Sequence, residues 1–95
     1  MSLSALERWY AGQCNGEWEH GHGVGIETLD NPGWRVRIGL RGTKKQNGSL
    51  ERVSIDRNES DWIQYWVEKG EFQVACGPKN LSEAIDIFVG WFDSD

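Results

Sequence analysis

The chain reads as an α+β domain: an antiparallel sheet of four or five strands, flanked by an N-terminal and a C-terminal helix packed on one face. Three observations lead there. Both ends carry apolar residues at helical spacing, the middle carries apolar and polar residues in alternation, and turn tetrads separate the alternating runs. The 95 residues suit a single domain spanning 1–95.

Leu3, Leu6, Trp9 and Tyr10 form one apolar stripe at helical spacing. Ser4 with Glu7 matches a capping box, so a helix is predicted from near Ser4 to about Cys14, where Asn15-Gly16 signals a turn. Glu17 to Gly23 is polar and Gly-rich and reads as loop. Val24, Ile26 and Thr28 alternate with Gly25 and Glu27, which predicts a strand. Asn31-Pro32-Gly33 reads as a type II turn, with Pro fixing one φ and Gly accepting the positive φ that follows. Trp34, Val36, Ile38 and Leu40 alternate with Arg35, Arg37 and Gly39, the cleanest strand pattern in the chain.

Gly42 to Ser49 is a polar loop, Leu50 to Asp56 a strand of weak alternation, and Arg57 to Ser60 a turn. From Asp61 to Lys69, Ile63, Tyr65 and Val67 share one strand face, and Trp62, Gln64 and Trp66 share the other. Glu68-Lys69-Gly70-Glu71 reads as a hairpin turn into a strand of Phe72, Val74 and Cys76. Gly77-Pro78 ends it. Asn80 is placed to cap a last helix, whose stripe is Leu81, Ala84, Ile85, Phe88, Val89 and Phe92. Two helices most economically cover one sheet face, that of Val36, Ile38, Ile63, Tyr65 and Val67. The opposite face then presents Arg35, Arg37, Trp62 and Trp66, residue types that dominate binding hot spots and that stack on one another by cation–π contact. The bland alternative is that this stacking only covers an exposed sheet.

The net charge is −5, and it is segregated. Residues 1–34 carry one cation against five acids, residues 35–57 seven cations against two acids, and residues 58–95 two cations against eight acids. The acidic ends suit a basic protein partner better than nucleic acid. A nucleic-acid module using the basic middle is the weaker reading. No apolar run approaches the roughly 20 residues that span a bilayer, and the start lacks the features of a signal peptide, so a cytoplasmic protein is expected. Cys14 and Cys76 could pair, but in a reducing compartment they are expected as free thiols.

The densest stretch is WEHGHGVGIETLDNPGW, Trp18 to Trp34. Cys14, Glu19, His20 and His22 have metal-ligating types, but two His at i and i+2 in a Gly-rich loop match no standard zinc spacing. His20 with Glu17, Glu19 or Asp30 has the makings of an acid/base pair, with Arg35 or Arg37 as a cation for phosphate. The surrounding acidity opposes a polyanionic substrate. Neither Cys has the cationic neighbour or helix N-terminus that activates a thiol. The run His20 to Gly25 lacks the Lys-Ser/Thr of a phosphate loop. A small metal- or His-dependent hydrolase centred on His20 and His22 is therefore the alternative reading, behind recognition of a protein.

Two strings carry a resemblance. Trp9-Tyr10-Ala-Gly-Gln13-Cys14-Asn-Gly16-Glu-Trp18-Glu19-His20 and Gly23-Val-Gly-Ile26-Glu-Thr28-Leu29-Asp30-Asn31-Pro32-Gly33-Trp34 resemble the immunity protein 53 family, small proteins of bacterial polymorphic toxin systems. Gly42-Thr43, Asp61-Trp62, Phe72, Leu81 and Phe88 to Trp91 are also similar, so the resemblance spans nearly the whole chain. One departure is His22, where the family pattern has an aromatic, so no role is carried to it. The resemblance implies an intracellular antidote, not an enzyme. It would bind a cognate toxin C-terminal domain, such as a nuclease, and block it stoichiometrically without cofactor or metal. It names no contact residues. The candidate partner-binding surface is Glu17, Glu19, His20, Asp30 and Asn31, anchored by Trp18 and Trp34. The Arg35, Arg37, Trp62 and Trp66 face is the other candidate.

Overall fold

The computed structural model describes residues 2–94. The elements are α1 (Ser2–Gln13), α2 (Trp18–Gly21), β1 (Val24–Leu29), β2 (Gly33–Gly39), β3 (Leu50–Asn58), β4 (Asp61–Glu68), β5 (Glu71–Cys76) and α3 (Leu81–Asp93). All strand pairs are antiparallel, in the order β1-β2-β5-β4-β3. The expected α+β architecture is therefore present, with five strands.

Register decides the faces. Val36 pairs with Val74, Ile38 with Phe72, Tyr65 with Val74 and Ile63 with Cys76. These side chains share one face, and Val36, Ile38, Ile63, Phe72, Val74 and Cys76 are all buried. α3 lays Ala84, Ile85, Phe88 and Phe92 on that face, and α1, packed against α3, adds Leu6 and Trp9 to the same core. A chain of rings runs through the core, with Trp18 to Trp9 at 5.8 Å, Trp9 to Phe88 at 4.9 Å and Phe88 to Phe72 at 5.1 Å. Each is an edge-to-face contact, worth about 0.5–1.5 kcal/mol beyond area burial. The α1 stripe is only half used: Leu6 and Trp9 go inward, while Leu3 and Tyr10 remain exposed.

Several boundaries differ from expectation. α1 begins at Ser2, so Ser4 lies inside it rather than at its cap. The run Glu17 to Gly23 is not all loop, because Trp18–Gly21 makes one helical turn. The Asn31–Pro32 peptide is cis and Gly33 is not among the positive-φ glycines, so the corner is not a type II turn. Gly33 is needed there for space instead: a Cβ would lie 2.2 Å from the Cys76 carbonyl oxygen. The β4–β5 hairpin holds as read, with Lys69 and Gly70 both at positive φ, the requirement of a type I′ turn.

Asn80 precedes α3 but does not cap it with its side chain. Its Oδ1 accepts from the Trp62 N–H at 3.3 Å, and its Nδ2 donates to Asp61 Oδ1 at 2.9 Å. The side chain thereby ties the start of α3 to the start of β4. Arg57 completes the joint, donating to Asp61 Oδ1 at 2.8 Å and to Glu83 Oε2 at 2.6 Å. Hydrogen bonds from Asn80 and then Arg57 hold the Asp61 carboxyl below its ordinary value of 3.8. The Arg57 bond does the same, first among several causes, for Glu83 below 4.5. Both folded-state values are depressed, so this stability is present above the ordinary range and is lost as pH falls through the folded values. In thermal melts from pH 7 to pH 3, the wild-type chain should lose more stability below about pH 4.5 than Arg57→Ala does. Parallel curves would show that the joint does not carry the acid sensitivity.

Candidate functional site

The open sheet face is built by alternation. Each strand that sends Val, Ile or Phe under the helices sends the intervening side chains the other way. Arg35 and Arg37 of β2, Gln73 and Ala75 of β5, Trp62, Gln64 and Trp66 of β4, and Ser54 of β3 share this face. The four residues expected there, Arg35, Arg37, Trp62 and Trp66, are brought together on it.

Their polar groups interlock. Arg37 donates to Glu27 Oε1 at 3.1 Å, across the β1–β2 pair. Arg35 donates to Gln73 Oε1 at 2.9 Å, and Gln73 donates to Glu71 at 3.0 Å. The Arg35 Nε is buried with no hydrogen-bond partner among the described residues. The Arg52 guanidinium lies 4.2 Å from the Trp66 ring centre and donates to Gln64 at 3.2 Å. The Trp66 indole donates to Glu68 at 2.9 Å. These contacts hold the long side chains in set rotamers, which lowers the ordering entropy a partner would otherwise face. Asn31 and Trp62 line a shallow cleft at one end of the face, with Ser54, Asp56, Glu59 and Gln64.

Arg52 was not anticipated. β3 has register breaks between Leu50 and Val53 and between Asp56 and Asn58, and a bulge shifts the face on which each side chain emerges. The break lies between Leu50 and Val53, so an alternation counted from Leu50 puts Arg52 on the helix-covered face, whereas it shares the phase of Ser54 and Asp56.

The Trp18–Trp34 motif is dispersed. Trp18 is buried, and its indole donates to the Arg41 carbonyl at 2.7 Å. It is a core residue that fixes α2, which corrects its placement on a binding surface. Glu19 faces inward to the loop: its carboxylate accepts from the N–H groups of Asn15 and Gly16, each at 2.9 Å. Backbone N–H groups, its own first and then that of Asn15, hold it below the usual carboxylate range. Trp34 lies on the helix-covered face and donates its indole N–H to the Pro78 carbonyl at 3.0 Å. Glu17, His20, Asp30 and Asn31 are exposed. They do not form one surface, because Glu17 and His20 precede β1 while Asp30 and Asn31 follow it. Six strand residues put roughly 20 Å between the two groups. Alternation could not show this, since it gives a side chain's face and not its position along the strand.

Chemistry converges nowhere on these residues. Among the described residues, no three or more His, Cys, Asp or Glu side chains lie together as a metal site. Both thiols are free, and burial raises the Cys76 thiol to about 11, which leaves little thiolate at neutral pH. The basic middle does not form one stripe. Lys44 and Lys45 sit over Phe92 and Trp91, Arg57 is tied to Asp61 and Glu83, and Arg35, Arg37 and Arg52 lie on the open face. No helix among the described residues is long and apolar enough to cross a membrane.

Comparison with known proteins decides the family. The family model for immunity protein 53 matches residues 3–93. The chain belongs to the immunity protein 53 family. No curated protein and no solved structure matches it significantly. Membership supports an immunity role and implies a toxin protein as the partner. It favours an inhibitor over an enzyme. The open sheet face is one surface that the helices leave uncovered, and its long side chains are tied to one another.

Proposed function

We propose that this chain is a bacterial cytoplasmic immunity protein that neutralises one cognate polymorphic-toxin domain by stoichiometric binding. The observation that carries the reading is the family match over residues 3–93. The surface proposed for docking is the open sheet face, centred on Trp62 and Trp66 with Arg35, Arg37 and Arg52. Aromatic and Arg side chains held by neighbours lose little entropy when a partner covers them, which is why such residues become hot spots. Asp30 and Asn31 extend this surface at one end. A nuclease, with cationic groups around its active site, suits the acids Asp56 and Glu59 beside Trp62.

Co-expression with the cognate toxin domain tests the reading. Cells should survive only when the chain is present. Purified toxin activity should fall linearly and vanish at one equivalent of the chain. Death of the co-expressing cells, or residual toxin activity at several equivalents, would remove the reading. A hydrolase centred on His20 and His22 gains no supporting observation, since the His20 and His22 side chains are both exposed and join no cluster.

A further inference from the structure

The two edges of the sheet are built differently. β3, at one edge, carries two register breaks and the charged side chains Glu51, Arg52, Asp56 and Arg57. Bulges and edge charges are the devices by which sheets prevent further pairing. β1, at the other edge, has no register break and a single charge: its register with β2 is unbroken from Val24 to Leu29, and the charge is Glu27. Among the described residues it has no strand on its outer side.

The phase of its hydrogen bonds is known. The Gly39 N–H donates to the Gly23 carbonyl at 2.9 Å, so Gly23 and Gly39 are a hydrogen-bonded pair. Antiparallel pairing alternates from there, so Gly25, Glu27 and Leu29 bond β2. The N–H and C=O groups of Val24, Ile26 and Thr28 therefore point outward. Their side chains share the helix-covered face, and beside them a largely apolar cleft of about 440 Å³ is lined by Leu6, Glu7 and Tyr10 of α1 and by His22, Gly23 and Val24. Among the described residues, Leu3, Tyr10 and Ile26 are the large hydrophobic residues left exposed. Tyr10 lines this cleft, and Ile26 lies on the strand beside it.

We infer that β1 receives an extended segment of the toxin as a sixth antiparallel or parallel strand, an inference that rests on the immunity reading above. The main-chain bonds would come from Val24, Ile26 and Thr28. Apolar side chains of the incoming strand would fill the cleft, and its intervening side chains would emerge on the Glu27 side. Charge selects the occupant. Glu7 lines the cleft, and Glu27, held at 3.1 Å by Arg37 of β2, is the charge of the strand, so the acids nearest this edge favour a basic partner. The partner strand alternates apolar and basic residues. A second copy of this chain would bring like acids together, which is unfavourable across a strand pair.

Backbone amide exchange on this chain, alone and with the cognate toxin domain, tests the inference. In the complex, the amides of Val24, Ile26 and Thr28 should exchange at least tenfold more slowly. Thr28→Pro removes one outward donor that the sheet does not use, a position where an edge strand tolerates Pro. Ile26→Lys puts a charge on the strand beside the cleft. Each should raise the toxin Kd at least tenfold. Unchanged exchange at the three amides with full binding would overturn the strand-addition inference and leave the immunity reading standing, whether or not the variants fold. Protection of the same amides in the chain alone, rising with concentration as its mass doubles, would assign the edge to a second copy and overturn it too. Absence of any binding by the wild-type chain would instead strike the immunity reading itself.

Discussion

Phe88→Ala should cost about 3–5 kcal/mol of stability, the range for truncating a fully buried Phe. Phe88 is 0% exposed and stands where the helices meet the sheet. Its ring touches Trp9 of α1 at 4.9 Å, Phe72 of β5 at 5.1 Å and Phe92 of α3 at 5.8 Å. Three large rings cannot collapse into the space that a lost ring leaves, so most of the cavity would persist. A domain of this size has about 5–15 kcal/mol to lose in total. The melting temperature should fall by about 15–30 °C. Urea titration followed by Trp fluorescence measures it, with Leu3→Ala as the comparison. Leu3 is 63% exposed, and its truncation should change stability by less than about 0.5 kcal/mol. A loss below about 1 kcal/mol for Phe88→Ala would mean that this ring cluster is not the core.

The same residues show what a sequence can and cannot disclose. The strands β2, β4 and β5 were legible because alternation against a single helix-covered face fixes both the element and the direction of each side chain. That is why the sequence alone puts Arg35, Arg37, Trp62 and Trp66 on one face. α3 was legible because six apolar residues fall on one helical stripe. Trp18 was misread for a physical reason. Its neighbours Glu17, Glu19 and His20 are polar, so local pattern makes it a surface residue. Its burial is decided by Arg41, whose carbonyl accepts the indole N–H from 23 positions away. A four-residue helix such as α2 is also too short to show a period. Asn80 is the N-cap residue of α3 as expected, but its side chain is engaged elsewhere. Its type and position fit a cap, yet Asp61 and the Trp62 N–H compete for the side chain and hold it.

The division of labour among the six Trp follows from these contacts. Trp9 and Trp18 are core, Trp34 braces β2 against Pro78, and Trp91 packs on Phe72 at 5.1 Å with Lys45 over its ring. Trp62 and Trp66 alone lie on the open face, half-buried. A small domain that leaves two such rings uncovered forgoes their burial in the monomer, and a partner that covers them recovers it.

The double variant Trp62→Ala, Trp66→Ala should therefore abolish toxin neutralisation while leaving a folded chain. Each Trp is expected to contribute about 2 kcal/mol or more as a hot spot, so the pair should raise the toxin Kd by a factor of about 10³. Folding should tolerate the change because neither side chain enters the core cluster. The losses there are the Arg52 stack on Trp66 and the exposed Trp66 bond to Glu68. Such exposed contacts are worth about 0.5–1 kcal/mol each. Calorimetric titration against the toxin domain gives the Kd, and a thermal melt gives the stability. Arg52→Ala separates the two roles of Trp66: it removes the cation and keeps the ring, so it should weaken binding by less than tenfold. The order of effects matters as much as their size. A double variant that still binds within threefold of the wild-type chain would place the docking surface elsewhere. The open face would then be only a sheet whose Arg and Trp side chains cover one another.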